Sequence, residues 1–189
     1  MTRAALRWGS VALFLSALWL ALRVQSQDAP RASERLDLGR ICVGEGGWSS
    51  TETGDCAAIA FVLQRRAELR GLSLRAMARA YSGRHLGTRA SPRPWIAGLR
   101  LDGGMPRRWP ASRRAWSRYR GRWLDVLEYA QDVLDGEVLD PCPGADHWGM
   151  RTGIDWERAQ RAGWDLVECD LPTRNAFWHV PRGGDRGRM

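Results

Sequence analysis

Apolar residues recur at helical spacing in four stretches of this chain, each bounded by residues that start or stop helices. In the first, Leu38, Ile41 and Cys42 follow Ser33, a candidate N-cap, with Glu34 and Asp37 in the first turn, where acids complement the helix dipole. Glu45 falls four residues after Ile41 on the same face, and Gly46 and Gly47 stop the helix at once. A second helix is expected over 56–70, with Asp55 as N-cap and Gly71 beyond its end. Its Ala57, Ile59, Ala60, Phe61, Val62 and Leu63 are apolar almost all round, which marks it as the buried central helix. A third, over 73–81, turns Leu74, Met77, Ala78 and Tyr81 inward. The fourth begins near Ser112, carries the stripe Trp116, Tyr119, Trp123, Leu127, Ala130 and Leu134, and closes at Gly136.

Between the third and fourth helices the pattern is lost. Arginines crowd the stretch from Arg84 to Arg122 against one acid, Asp102, and Pro92, Pro94, Pro106 and Pro110 break it into loop. Beyond Gly136 the sign of the charge reverses, and the sequence reads as loops with short strands around Asp140–Gly149 and Asn175–Val180. The Gly/Arg tail over 181–189 is expected to be disordered. The fold class is therefore mainly α, one helical domain over 33–180 with an irregular, loop-rich C-terminal part.

The N-terminus adds a compartment. Arg3 and Arg7 precede an apolar run from Trp8 to Leu22, the length of a signal-peptide core, and Val24-Gln25-Ser26 offers a cleavage site after residue 26. The alternative for 1–26 is an uncleaved inner-membrane anchor; 27–32 reads as a polar linker. Either way the remainder is exported, to the periplasm or outside the cell. In an exported chain the four cysteines default to disulfides, and short loops favour Cys42 with Cys56 and Cys142 with Cys169 among the three possible pairings. A metal is not expected, since no Cys-x-x-Cys pair or histidine ligand spacing is present, and no cofactor is called for.

The formal net charge is +8, yet the chain contains no lysine, which removes P-loop and Schiff-base chemistry. Nucleic acid is not expected as a partner: the chain is exported, its arginines are scattered through Pro-rich loop, and an acidic section is present to neutralise them. No Gly-x-Ser-x-Gly elbow occurs, and an oxidised Cys142 leaves His147 without a thiol to activate. The carboxyl of Glu45 remains, at the end of an apolar face where partial desolvation would raise its pKa toward that of a general acid. The plain alternative is a solvated last-turn residue. Trp48, Trp148 and Trp178 lie in apparent loops or beside glycines, where indole faces suit the C–H faces of sugars; Trp116 and Trp123 keep helical spacing and read as core.

Taken together, Leu38-x-Arg40-Ile41-x-Val43-Gly44-Glu45, Ala58-Ile59-Ala60-Phe61-Val62-Leu63-Gln64-Arg65, Gly144-Ala145-Asp146-His147-Trp148 and Asn175-Ala176-Phe177-Trp178 resemble the motifs of the SleB-type cell-wall hydrolases. These are a branch of the lysozyme-like superfamily that cleaves peptidoglycan glycan strands. The resemblance implies a lysozyme-like fold, peptidoglycan as partner, and Glu45 as the catalytic acid/base at the bond between N-acetylmuramic acid and N-acetylglucosamine. It further implies intramolecular attack by the muramyl C6 hydroxyl, giving a 1,6-anhydro product. If water attacks instead, Glu52 and Asp55 are the nearest second carboxyl groups. Gln64, His147, Trp148, Asn175, Trp178 and Trp48 would line the groove. Ser49 stands where the family has a second glutamate, Gln64 replaces its asparagine, Asn175 stands where histidine is common, and the stretch 84–114 is an arginine-rich insert. The alternative function is an inactive glycan-binding protein on the same fold.

Overall fold

Residues 31–181 are described by a computed structural model. The signal or anchor over 1–26, most of the linker and the tail over 182–189 lie outside the described residues. The first helix, α1, already includes residues 31 and 32 and runs to residue 41, so Ser33 sits inside it rather than capping it. It then widens into a π-helical turn, Cys42–Gly46, and ends where Gly47 takes φ +79° and its N–H meets the Val43 carbonyl at 3.1 Å. A π-turn adds slack to the hydrogen-bond ladder and is found disproportionately at functional sites. Glu45 is carried on this one.

Helix α2 spans Asp55–Arg70 and is the buried centre its sequence predicts, with Ala57, Ala58, Ile59, Val62 and Leu63 all shielded from solvent. Asp55 does not cap it. The helix starts one residue earlier than expected, after Gly54, and the Asp55 side chain turns away toward the C-terminal strand. Helices α3, Leu74–Ser82, and α4, Arg113–Asp135, start on Ser73 and Ser112, whose hydroxyls accept from Ala76 N and Ala115 N at 3.2 Å. Gly71 and Gly136 end α2 and α4 in the left-handed conformation that glycine adopts without strain.

The C-terminal part forms a small antiparallel sheet of β1, His147–Met150, β2, Asp165–Leu166, and β3, Asn175–His179, in the order β1-β3-β2. Trp148 pairs with Phe177 and His147 with Trp178. Helix α5, Ile154–Ala162, lies between β1 and β2 and was not expected. It buries only Ala159, so its sequence lacks an apolar stripe. Among the described residues, five helices and three strands make a mainly helical fold.

Both expected disulfides are present, Cys42–Cys56 joining the π-turn to α2 and Cys142–Cys169 closing the C-terminal part. By loop length each stabilises by about 3–4 kcal/mol. They point to an oxidising, exported location. Among the described residues no helix is long and apolar enough to cross a membrane.

The arginine-rich stretch is loop, as predicted, with one short 3-10 turn at Ile96–Gly98. It is nevertheless fixed to the core. Ile96 and Leu99 are fully buried, the Leu99 carbonyl accepts from Arg40 Nη2 at 2.7 Å, and the Arg100 carbonyl accepts from Trp123 Nε1 at 2.7 Å. Trp48 stacks on Trp95 with centroids 5.7 Å apart, and Trp109 packs edge-on to both.

Candidate functional site

The side chain of Glu45 is only 13% exposed and meets three groups from the end of α3 and the loop beyond it. Ser82 Oγ donates to Oε1 at 3.1 Å, Arg84 Nη2 donates to Oε2 at 2.8 Å, and His85 Nε2 lies 3.1 Å from Oε1. His85 is itself buried, and its ring rests directly on the backbone of Gly44: a Cβ there would come within 2.4 Å of the ring. Gly44 therefore makes room for the histidine beside the glutamate. Arg84 Nε also donates to His85 Nε2 at 3.1 Å. One nitrogen cannot accept from Arg84 and donate to Glu45 at once, so the His85 tautomer decides which of the two it serves.

This environment corrects the expected electrostatics. Burial does push the Glu45 carboxyl up, as its apolar neighbours predict. The His85 hydrogen bond and charge, together with Arg84, outweigh burial and hold the group below the usual carboxylate range. In the unliganded protein Glu45 is ionised at neutral pH.

Glu45 opens into a cleft of about 650 Å³. Tyr81, Trp148 and Met150 contribute aromatic and apolar lining, the rings of Tyr81 and Trp148 lying 5.6 Å apart. Arg84, Arg89, Arg93, Asn175 and Asp155 also line it. Asn175 Nδ2 donates to the Glu45 carbonyl at 3.4 Å and to Asp55 Oδ1 at 3.0 Å, tying β3 to the π-turn. Asp155 packs against Gly149, where a Cβ would fall 2.9 Å from its own, and accepts from Met150 N at 3.3 Å.

Of the residues singled out from sequence, the structure brings Glu45, Trp148 and Asn175 into this cleft and leaves the others outside its lining. Trp48 belongs to the aromatic stack on the arginine-rich loop, with Tyr119 5.2 Å away. Trp178 is completely buried under the sheet, against Trp156 and Trp164, because β3 is the central strand and is covered on both faces. Gln64 is half-buried on α2. Neither expected second carboxyl fits: Glu52 is exposed on the turn outside the cleft, and Asp55 is fully buried with its oxygens taken by Thr53 Oγ1, Arg174 N, Asn175 N and Asn175 Nδ2. The cleft's second carboxyl is Asp155. Sequence reasoning also passed over His85 and Tyr81, since nothing near either in the chain marks it as a neighbour of Glu45. Among the described residues no cluster of three or more His, Cys, Asp or Glu could hold a metal ion.

His147 is one residue from Trp148 and so faces the other side of β1. Its Nδ1 lies 3.2 Å from Arg66 Nη1, and its ring packs 4.5 Å from that of Trp164. Burial first, then the Arg66 charge, pushes its pKa down to about 4. Between there and its ordinary value of 6.5 the unfolded chain binds a proton that the folded chain does not, so stability rises with pH across that window and is lost on acidification. His147→Gln should flatten this slope. Denaturant midpoints measured through the window, compared between the two proteins, check it.

The three runs that meet at the cleft come from distant parts of the chain. Compared with protein-family models, with curated proteins and with solved structures, the chain matches none.

Proposed function

We propose that this protein is an exported, lysozyme-like enzyme that cleaves the glycan strands of peptidoglycan, with Glu45 as its acid/base. One observation carries the reading: Gly44-Glu45, Trp148 and Asn175, each from a different motif of the cell-wall hydrolase resemblance, line one cleft although up to 131 positions separate them. The cleft pairs a shielded carboxyl with aromatic side chains, as sugar recognition and proton transfer together require. Protonated Glu45 would donate to the glycosidic oxygen and then, as carboxylate, take the proton of the attacking C6 hydroxyl. A single acid/base suffices for that route; attack by water would turn attention to Asp155.

Proton donation requires the pair with Arg84 to open. Arg84 is the exposed partner, its side chain 53% accessible, and once it leaves, burial acts on Glu45 with less opposition. Arg84→Gln should therefore raise the Glu45 pKa and move the alkaline limb of the kcat/KM profile to higher pH. An unmoved limb would remove Arg84 from control of Glu45.

Digestion of purified peptidoglycan, with products read by mass spectrometry, tests the function. Anhydro-muropeptides support lytic transglycosylation, and reducing-end muropeptides support hydrolysis. Binding without products supports the second reading, a non-catalytic glycan-binding protein, which the ionised state of Glu45 in the free protein favours.

A further inference from the structure

Between Asp102 and Asp125 the chain carries seven arginines and no acid, and none of the seven lines the cleft. Arg107 and Arg108 stand in a turn closed by Trp109 N, which donates to the Pro106 carbonyl at 3.1 Å. Arg113, Arg114, Arg118, Arg120 and Arg122 lie on the first three turns of α4. All seven residues are exposed, and none makes an ion pair among the described residues, so the acidic C-terminal section does not pair with them. The arrangement costs the helix stability. Arg113 and Arg114 sit at the positive end of the α4 dipole with no acid in the first turn, and Arg114 with Arg118 and Arg118 with Arg122 set like charges one turn apart. No partner among the described residues offsets that cost; an external array of anions would.

Aromatic side chains are set among these arginines. Trp109 packs on Trp116 and Tyr119 with centroids 5.0 and 5.4 Å apart, which seats the turn 106–109 against the start of α4. Trp95, Trp109 and Tyr119 are half-buried, and Met105, two residues before Arg107, is exposed. Indole and phenol rings and arginine stems suit the boundary between headgroups and acyl chains, and guanidinium forks suit phosphate. A soluble polyanion would engage the arginines and leave the aromatic edges without a role. The later turns of α4 carry Asp125, Glu128, Asp132 and Asp135 and no arginine. At 1.5 Å per residue the two halves are centred about 19 Å apart, more than twice the screening length of about 8 Å, so the acidic half does not cancel the cationic one. We propose that the turn 106–109 and the first three turns of α4 dock the protein on a bilayer containing anionic phospholipid, with the arginines on the phosphates and the aromatic edges at headgroup level. The surface lies outside the cleft, and its docking does not depend on the glycan-strand reading.

The test is cosedimentation of the mature chain from residue 27, which lacks the apolar run over 8–22, with vesicles of phosphatidylcholine alone or mixed with phosphatidylglycerol. Binding is expected to the mixed vesicles and not to the neutral ones. An arginine near an anionic surface is worth about fivefold in partitioning, so Arg107→Gln/Arg108→Gln should weaken binding about twenty-five-fold. Both residues are exposed in the turn, so the fold tolerates their loss. Arg70→Gln/Arg79→Gln removes the same charge from exposed positions on α2 and α3 and should change binding little. Phospholipids brominated near the headgroup end of their acyl chains should quench tryptophan emission. Equal binding to both kinds of vesicle, or to neither, overturns the proposal. An equal loss in the two double variants also overturns it, since net charge alone then drives binding. Binding without quenching overturns the bilayer contact; soluble polyphosphate that binds with the same loss in Arg107→Gln/Arg108→Gln then identifies an anionic polymer instead.

Discussion

Glu45→Gln is expected to lower glycan-strand cleavage by roughly two to four orders of magnitude, the range for loss of a general acid/base. Glutamine keeps the shape, and its one carbonyl oxygen can still accept from Ser82 Oγ, so the cleft survives while the ionisable proton is gone. The partner left behind, Arg84, is exposed and returns to water at little cost. Initial rates on purified peptidoglycan should therefore collapse with little change in the thermal midpoint. Activity within tenfold of the parent protein would sink the assignment of Glu45.

Asp55→Ala should produce the largest loss of stability, about 3–5 kcal/mol, because it leaves several buried donors without an acceptor. The N–H groups of Arg174 and Asn175, the Asn175 amide and the Thr53 hydroxyl all converge on that one side chain, at 2.9, 3.0, 3.0 and 2.6 Å. Three of these bonds tie chain segments 119 or 120 positions apart. The loss is a large fraction of the total stability of an ordinary domain. Because Asn175 also reaches the Glu45 carbonyl, activity should fall at temperatures where the variant is still folded. Urea unfolding checks the first expectation and activity at low temperature the second. A destabilisation under about 1 kcal/mol would mean that water replaces the side chain and that the network is not structural.

How far the sequence speaks depends on the range of the interactions involved. The glycine stops of α2 and α4 act within a few residues and were placed correctly, as were the starts of α3 and α4 near Ser73 and Ser112, whereas Ser33, expected as a cap, lies inside α1. The alternation of Leu74, Met77, Ala78 and Tyr81 likewise fixes which side of α3 is covered. Short loops correctly singled out the disulfide pairing. Helix α5 escaped because it buries one alanine and so presents no stripe. Trp178 was misplaced because a short run read as a strand among loops gives no hint that it is covered on both faces. Asp55 looks like an N-cap from its own neighbours, and only the arrival of β3 redirects it. The sign of the Glu45 shift failed for the same reason. Its apolar neighbours are local and visible, while Arg84 and His85 are brought back across some forty positions by α2 and α3. Local rules located the carboxyl; distant charges set its state.

The bond between Cys42 and Cys56 has a consequence for when the proposed activity can exist. It ties the first residue of the turn carrying Glu45 to the helix whose first residue is Asp55. In a reducing compartment that tie is open, and the turn is held only by hydrogen bonds and packing. On the proposed function a newly made chain would be an unfinished catalyst, and the oxidant that closes the bond would also mature the site. For the proposed wall-cleaving activity, such an arrangement would delay competence until the chain reaches an oxidising compartment.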